Sequence, residues 1–321
     1  MILTVTLNPL LERRIAYNSI KLGAVNRDGK IDLRSGGKGI NVSRQLNNLG
    51  VDNLGLTFAG GSSGRELKDI LHSEKIKSVL IHTEAKTREA LIFIDESGKS
   101  ITSCFGSNSE ITPKEAKEFR LKLEKMIPNY EMIILSGSSP SHITDSIFPF
   151  AIEWANKHDK IVICDTYGDH LNDCINAAPT IIHNTIDEIE KSLHIKLNNE
   201  QDKTSFLSEV YSKNIKQVYL TDGDKPFVAS NFDYHFSIVP PQVMTIDSTG
   251  SGDAFTAGIA YGWHNDLVFE DALTTAVALG AANASVFDVC NVKINDFEEL
   301  KISVIVTSIG KKMKVVDVKP R

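Results

Sequence analysis

Short, mostly apolar runs alternate with helix-patterned segments through the middle of this 321-residue chain. Met132 to Leu135, Ile161 to Cys164 and Gln217 to Leu220 read as buried strands. Pro113 to Lys125, Thr144 to Lys157 and Ile186 to Leu193 read as helices, with Pro149 kinking the second or delaying its start. Asp253 to Trp263 and the small-residue run Ala272 to Ala284 add two more. Strands apolar on both faces need cover on both faces, so the chain is expected to form a mostly parallel sheet between helices, an α/β fold.

The first third interrupts that rhythm. Residues 2–7 suit a strand. The stretch from about Arg13 to Leu33, with Gly23 and Gly29, reads as small strands and turns. Gly36-Gly37-Lys38-Gly39 opens a helix from Ile40 to Leu49, and Gly50 stops it. Leu54 to Ala59 reads as a strand and Gly64 to His72 as a helix. Ala90 to Ile94 and Ser100 to Phe105 form a hairpin across Glu96-Ser97-Gly98. The simplest organisation is one domain over 1–321 carrying a small β appendage from about 11–34 and 88–106.

Charge narrows the function. Lys plus Arg is 35 and Asp plus Glu is 41, a net charge of −6. That argues against nucleic acid or an anionic membrane held by bulk charge. No apolar run reaches the ~20 residues of a membrane span. Met1 to Pro9 lacks the basic start of a signal peptide, so a cytoplasmic location is expected. The four cysteines show no C-x-x-C spacing and the nine histidines are scattered, so neither a disulfide framework nor a zinc site is expected.

Two segments carry chemistry. In Asp247-Ser-Thr-Gly250-Ser251-Gly252-Asp253, a glycine-flanked serine leads straight into a helix, which lets backbone N–H groups converge on an anion. A carboxylate there repels the anion unless it has a task. Accepting the proton of a hydroxyl that attacks phosphorus is such a task; capping the helix is the plain alternative. In Ser35-Gly36-Gly37-Lys38-Gly39-Ile40-Asn41-Val42-Ser43, glycines admit a ligand to the backbone and Lys38 brings charge. The alternative is a strand-to-helix turn with a solvated lysine. Neither segment is G-x-x-x-x-G-K-[ST] or G-x-G-x-x-G.

In this order, and over nearly the whole chain, the segments resemble ribokinase-like carbohydrate kinases of the phosphofructokinase B family, most of all its 1-phosphofructokinase and tagatose-6-phosphate kinase branch. Thr6-Leu7-Asn8-Pro9, Val25-Asn26-Arg27, Gly36 to Ser43, Gly60-Gly61, Thr87-Arg88, Ser136-Gly137-Ser138 and Gly250 to Asp253 carry the resemblance. It implies that Asp253 is the base and that the Gly250, Ser251 and Gly252 backbone holds the γ-phosphoryl group of ATP. Arg27, Lys38 and Arg88 would grip the phosphate already on the sugar. Glu12, Gly37, Asn41 and Ser138 would complete the sugar site. Thr185, Thr221, Gly223 and Asn283 would lie by the nucleotide, and Glu188 would organise Mg²⁺ through water. The appendage would be a lid that pairs two subunits into a homodimer.

The chain departs from the family at three places. Glu12 stands where aspartate is usual. His183-Asn184-Thr185-Ile186-Asp187-Glu188 stands for Lys-Pro-Asn-x-x-Glu, aligned on Glu188, although a one-residue shift would match Asn184 instead. Pro226 replaces a glycine in Thr221-Asp222-Gly223-Asp224-Lys225-Pro226. The expected activity is phosphorylation of fructose 1-phosphate at O6, then tagatose 6-phosphate at O1. The competing readings are a catalytically degenerate sugar-phosphate sensor and a ribose or nucleoside kinase.

Overall fold

A computed structural model describes residues 1–309. The chain begins β1 (Ile2–Thr6), β2 (Leu10–Tyr17), β3 (Lys30–Gly36), α1 (Lys38–Asn48), β4 (Asn53–Gly60), α2 (Gly61–Ser73) and β5 (Ser78–Thr83). The hairpin β6 (Arg88–Asp95) and β7 (Ser100–Phe105) follows. Alternation then sets in: α3 (Pro113–Met126), β8 (Met132–Ser136), α4 (Ile147–Asn156), β9 (Ile161–Asp165), α5 (Leu171–Asn176), β10 (Ile181–Thr185), α6 (Ile186–Leu193), α7 (Glu200–Ser212) and β11 (Gln217–Thr221). β12 (Phe227–Asn231), β13 (Tyr234–Val239), α8 (Ser251–His264), α9 (Phe269–Ala284), α10 (Ile294–Lys301) and β14 (Ile305–Ile309) close it.

The large sheet runs β14-β13-β12-β11-β10-β9-β8-β1-β4-β5. From β5 to β11 every pairing is parallel, and β12, β13 and β14 add antiparallel strands at one edge. Both faces are covered. Phe119 and Leu123 of α3, Phe148 of α4 and Leu207 of α7 pack on one side. Val42 and Leu46 of α1, Phe255 of α8, Leu279 of α9 and Phe297 of α10 pack on the other. This is the ribokinase-like α/β architecture that the resemblance implies.

A second sheet, β3-β2-β6-β7, stands apart. The polar stretch that reads as small strands and turns contains two full strands; their part-exposed faces carry Arg13 and Asp32 and hide the alternation. Pro149 delays α4 to Ile147, where it takes the third helical position and loses no helical hydrogen bond. The strands β5, β10 and β12 to β14 and the helices α5, α7 and α10 are not legible from local pattern alone.

Helices α8 and α9 pack closely because Gly258 faces the Ala276 backbone: a Cβ on Gly258 would come within 2.5 Å of Ala276 Cα. Gly258→Ala is expected to lower stability by about 1–3 kcal/mol, read as a lower urea midpoint with an unchanged m-value.

Candidate active site

The parallel strands present their carboxyl ends on one rim, the usual place for ligands in such sheets. Asn8 follows β1, Ser136 ends β8, Asp165 ends β9, Thr185 ends β10 and Thr221 ends β11. Helix α8 starts at the same rim. Its N-cap is Gly250 at φ 78°, a left-handed conformation, and a Cβ there would strike Val289. No side chain caps this end, so the first-turn N–H groups of Gly252 and Asp253 face outward without helical acceptors.

Asp253 is 4% exposed, and its Oδ2 accepts 2.8 Å from Asn41 Nδ2. Burial pushes its carboxyl up to about 7. Asp165 and Glu188 push the same way, while Lys38 and the Asn41 donor pull it down. A carboxyl poised near neutrality suits a general base.

Expected to join Arg88 on the substrate phosphate, Lys38 instead lies between carboxylates. Its Nζ is 3.0 Å from Asp165 Oδ1 and 3.0 Å from Glu188 Oε1, and it stands 5.1 Å over the Tyr167 ring. Burial works against the ammonium, but Asp165, Glu188 and Asp253 outweigh it and hold the charge more firmly than in free lysine. Asp165 is fully buried and accepts from Ser136 Oγ at 2.9 Å and Thr256 Oγ1 at 3.2 Å. Sequence reasoning missed it, although its place just after a buried strand is the signal that could have found it.

Thr185 caps α6. Its side chain accepts from Glu188 N at 3.1 Å, and Glu188 Oε2 accepts from Thr185 N at 2.9 Å. The capping alternative therefore holds for Thr185, and it fits the alignment on Glu188. Burial alone would raise Glu188, but Lys38 and the Thr185 N–H hold it below the usual carboxylate range. His183 lies between Thr256 Oγ1 (2.8 Å) and Thr221 Oγ1 (3.2 Å), and burial lowers its pKa, which keeps the ring neutral. Thr221 pairs in register with Thr185. Gly223 lies in a turn closed by Lys225 N donating to Asp222 O at 3.1 Å. Pro226 stands just before β12, where its missing N–H breaks no ladder bond.

A second cluster surrounds Arg88. Its guanidinium donates to Asn108 Oδ1 at 3.1 Å and Asn8 O at 3.2 Å, and Nε is buried without a partner. Asn8 Nδ2 donates to Ser138 Oγ and Asn108 Oδ1, both at 3.0 Å. No carboxylate pairs with Arg88 among the described residues. Nothing in the local pattern marked Asn108.

Other residues differ from expectation. Arg27 is exposed in the loop between β2 and β3. The register puts Leu10 and Gly36 at the sheet's root and Ala16 and Lys30 at its far end, about 20 Å away at ~3.4 Å per residue. Within one chain Arg27 therefore does not join the cluster. Asn283, expected near the nucleotide, is held at the Gly250 turn. Its amide donates to Thr249 O (2.8 Å) and Ser251 Oγ (3.1 Å) and accepts from Cys290 N (2.7 Å), so it braces the Gly250 turn and has no donor left for an adenine. Gly37, at φ 118°, packs on Thr6 and Pro9 below Lys38. Glu12 shares a small cavity with Arg14, Arg44 and Asn41, and burial raises its carboxyl against the pull of both arginines.

An uncapped glycine-rich helix start beside a buried carboxylate, at the rim of a parallel sheet, defines a phosphoryl-transfer site. Comparison with known proteins agrees. The pfkB family carbohydrate kinase model matches residues 11–294. Tagatose-6-phosphate kinase from Staphylococcus epidermidis is 27% identical over 303 residues, covering 94% of this chain and 97% of that protein. A Staphylococcus aureus structure with a provisional phosphofructokinase description is 26% identical at a TM-score of 0.82, covering 97% of this chain and all of that one. The tetrameric inhibited form of Escherichia coli phosphofructokinase-2, 21% identical, superposes at 0.84 over 94% of this chain and 98% of its own, and shares the fold. The chain belongs to the PfkB family of carbohydrate kinases, phosphotransferases with a hydroxyl acceptor. Among the described residues, no helix is long and apolar enough to cross a membrane.

With Asp253 near 7, a role for it as proton acceptor would be lost to protonation as pH falls. kcat/KM is expected to drop about tenfold per pH unit below that point. A flat profile between pH 5.5 and 8 would exclude this carboxyl from proton transfer.

Proposed function

We propose that this protein is an ATP-dependent sugar-phosphate kinase that converts a ketohexose monophosphate to a bisphosphate. The observation that carries the reading is Arg88, a half-buried cation held by amide and carbonyl oxygens with no carboxylate among the described residues to balance it. An uncompensated guanidinium wants an anion, and a sugar phosphate supplies one. Ser138, Asn8 and Asn108 complete that cradle. Asn41, bonded to Asp253, and Glu12, in one small cavity with Asn41, are assigned to the sugar hydroxyls. Tagatose 6-phosphate is favoured by the Staphylococcus epidermidis relative, and fructose 1-phosphate by the sequence reading.

In the reaction, the attacking hydroxyl gives its proton to Asp253 Oδ1 while Oδ2 stays bonded to Asn41. The sugar oxygen bonds the γ-phosphorus as its bond to the β-phosphate oxygen breaks. The first-turn N–H groups after Gly250 bind the transferring oxygens. Bound Mg·ATP supplies the phosphoryl group and neutralises its charge. The residues fit that cofactor. Asn184 Oδ1 is buried without a partner, and its Nδ2 is 3.5 Å from Glu188 Oε2. An orphaned acceptor beside a carboxylate suits the water shell that Mg²⁺ keeps. Among the described residues no three His, Cys, Asp or Glu side chains form a cage of their own.

A coupled ADP-release assay over fructose 1-phosphate, tagatose 6-phosphate, fructose 6-phosphate, fructose, ribose and adenosine tests the reading. One ketohexose phosphate should dominate in kcat/KM. Asp253→Asn should lower kcat by ~10²–10⁴ with sugar-phosphate binding retained. Arg88→Ala should raise KM for the phosphorylated sugar alone. Binding without ADP release in the wild type would favour the sensor.

The small sheet is proposed to be the lid and the homodimer contact. By register, Ile15, Ile31, Leu91 and Phe93 share one face, with Ile31 68% and Leu91 40% exposed. An apolar face this open favours burial against a second copy. Light scattering should show a dimer, and Ile31→Glu with Leu91→Glu should yield monomers.

A further inference from the structure

Helix α1 does more than bring Lys38 to the rim. Asn41 and Arg44, three residues apart, lie on one side of it and are 7% and 8% exposed. Arg44 Nη1 donates to Asn41 Oδ1 at 2.8 Å, and Asn41 Nδ2 donates to Asp253 Oδ2 at 2.8 Å. We propose that Arg44 is a positioning residue that holds the Asp253 carboxylate through Asn41. The inference rests on the reading of Asp253 as the base.

The physical reason is the one-way chemistry of a guanidinium. An asparagine amide has a donor end and an acceptor end of nearly equal shape, so packing alone sets its sense poorly. Arginine can only donate, and a carboxylate can only accept. Between them the amide has one stable sense, with oxygen toward Arg44 and nitrogen toward Asp253. The flipped amide would put its NH₂ against the guanidinium and its oxygen against the carboxylate. Without Arg44 that choice is lost, and the carboxylate loses its fixed donor part of the time.

Arg44 is itself held from outside the site. Nη2 donates to Ser35 O (2.6 Å), Ser35 Oγ (2.8 Å) and Glu74 Oε2 (2.9 Å). Ser35 Oγ donates to the same Glu74 oxygen at 2.5 Å. Ser35 belongs to β3, at the root of the small sheet, and Glu74 ends α2. The amide bonded to Asp253 is thus anchored, through Arg44, to the root of the small sheet.

A purely structural Arg44–Glu74 pair would stabilise the protein without acting through Asn41, and a double-mutant cycle separates the two. Arg44→Met is made together with Glu74→Gln, so that the Glu74 carboxylate is not left stranded, while Arg14 remains beside Glu12. In the wild-type background this pair should lower kcat by about 10- to 100-fold and leave KM for ATP within about twofold. In the Asn41→Ala background it should lower kcat no further. Arg44→Lys, which still only donates, should recover most of the loss. Equal losses in both backgrounds would overturn the proposal. A second readout needs no turnover: the ¹⁵N side-chain amide signal of Asn41 in labelled protein. It should move and broaden in the Arg44→Met protein, and less so in Arg44→Lys, which serves alone if the first fails to fold. An unchanged signal refutes the relay. If the wild type phosphorylates none of the sugars, the kinase reading fails by itself, and the amide signal still decides whether Arg44 sets Asn41 against Asp253.

Discussion

Lys38 between Asp165 and Glu188 is the interaction on which the rest of the site depends. Three separate parts of the chain meet there: the start of α1, the end of β9 and the first turn of α6. At a separation of 3.0 Å in a partly dry site, each pairing is worth several kcal/mol before desolvation is counted. Removing the ammonium would strand two carboxylates beside a third, Asp253. The neutral His183 lends them no charge, so one lysine carries the whole load.

This arithmetic of charge explains the state of Asp253. Around Asp253 stand one ammonium and two other carboxylates, and burial removes the water that would screen them. Its carboxyl therefore holds its proton up to about 7. It also explains the division of labour along the rim. The acidic half, with Glu188 and Asn184, calls for a cation, whereas the half around Arg88 calls for an anion. The Gly250 turn lies at the helix start beside Asp253, where backbone dipoles can meet an anion without adding a further side-chain charge.

The departures at Glu12, Thr185 and Pro226 leave the charge as in the family pattern and are absorbed by local geometry. Thr185 closes the same helix cap that an amide would close, through a reciprocal bond with Glu188. Pro226 falls outside the strand ladder and leaves the Asp222 to Lys225 turn intact. Glu12, one methylene longer than aspartate, sits among Arg14, Arg44 and Asn41 beneath the small sheet, so its extra length is taken up inside a packed polar cluster.

Much of this was legible in the sequence. The apolar strands announced a covered parallel sheet, because strands with two buried faces have no polar side to show. Gly250 to Asp253 pointed to an anion site, because glycine allows that turn, and it left the acid two readings, a proton acceptor or a helix cap. Local pattern could not show partners distant in sequence. Lys38 finds Asp165 and Glu188 across 127 and 150 residues, and Asn41 finds Asp253 across 212. Arg88 meets no carboxylate among the described residues, Arg27 is carried to the far end of the small sheet and Asn283 turns inward to brace a loop. Those outcomes depend on which strand ends become neighbours, and that is decided only when the sheet assembles and burial makes every stranded charge costly.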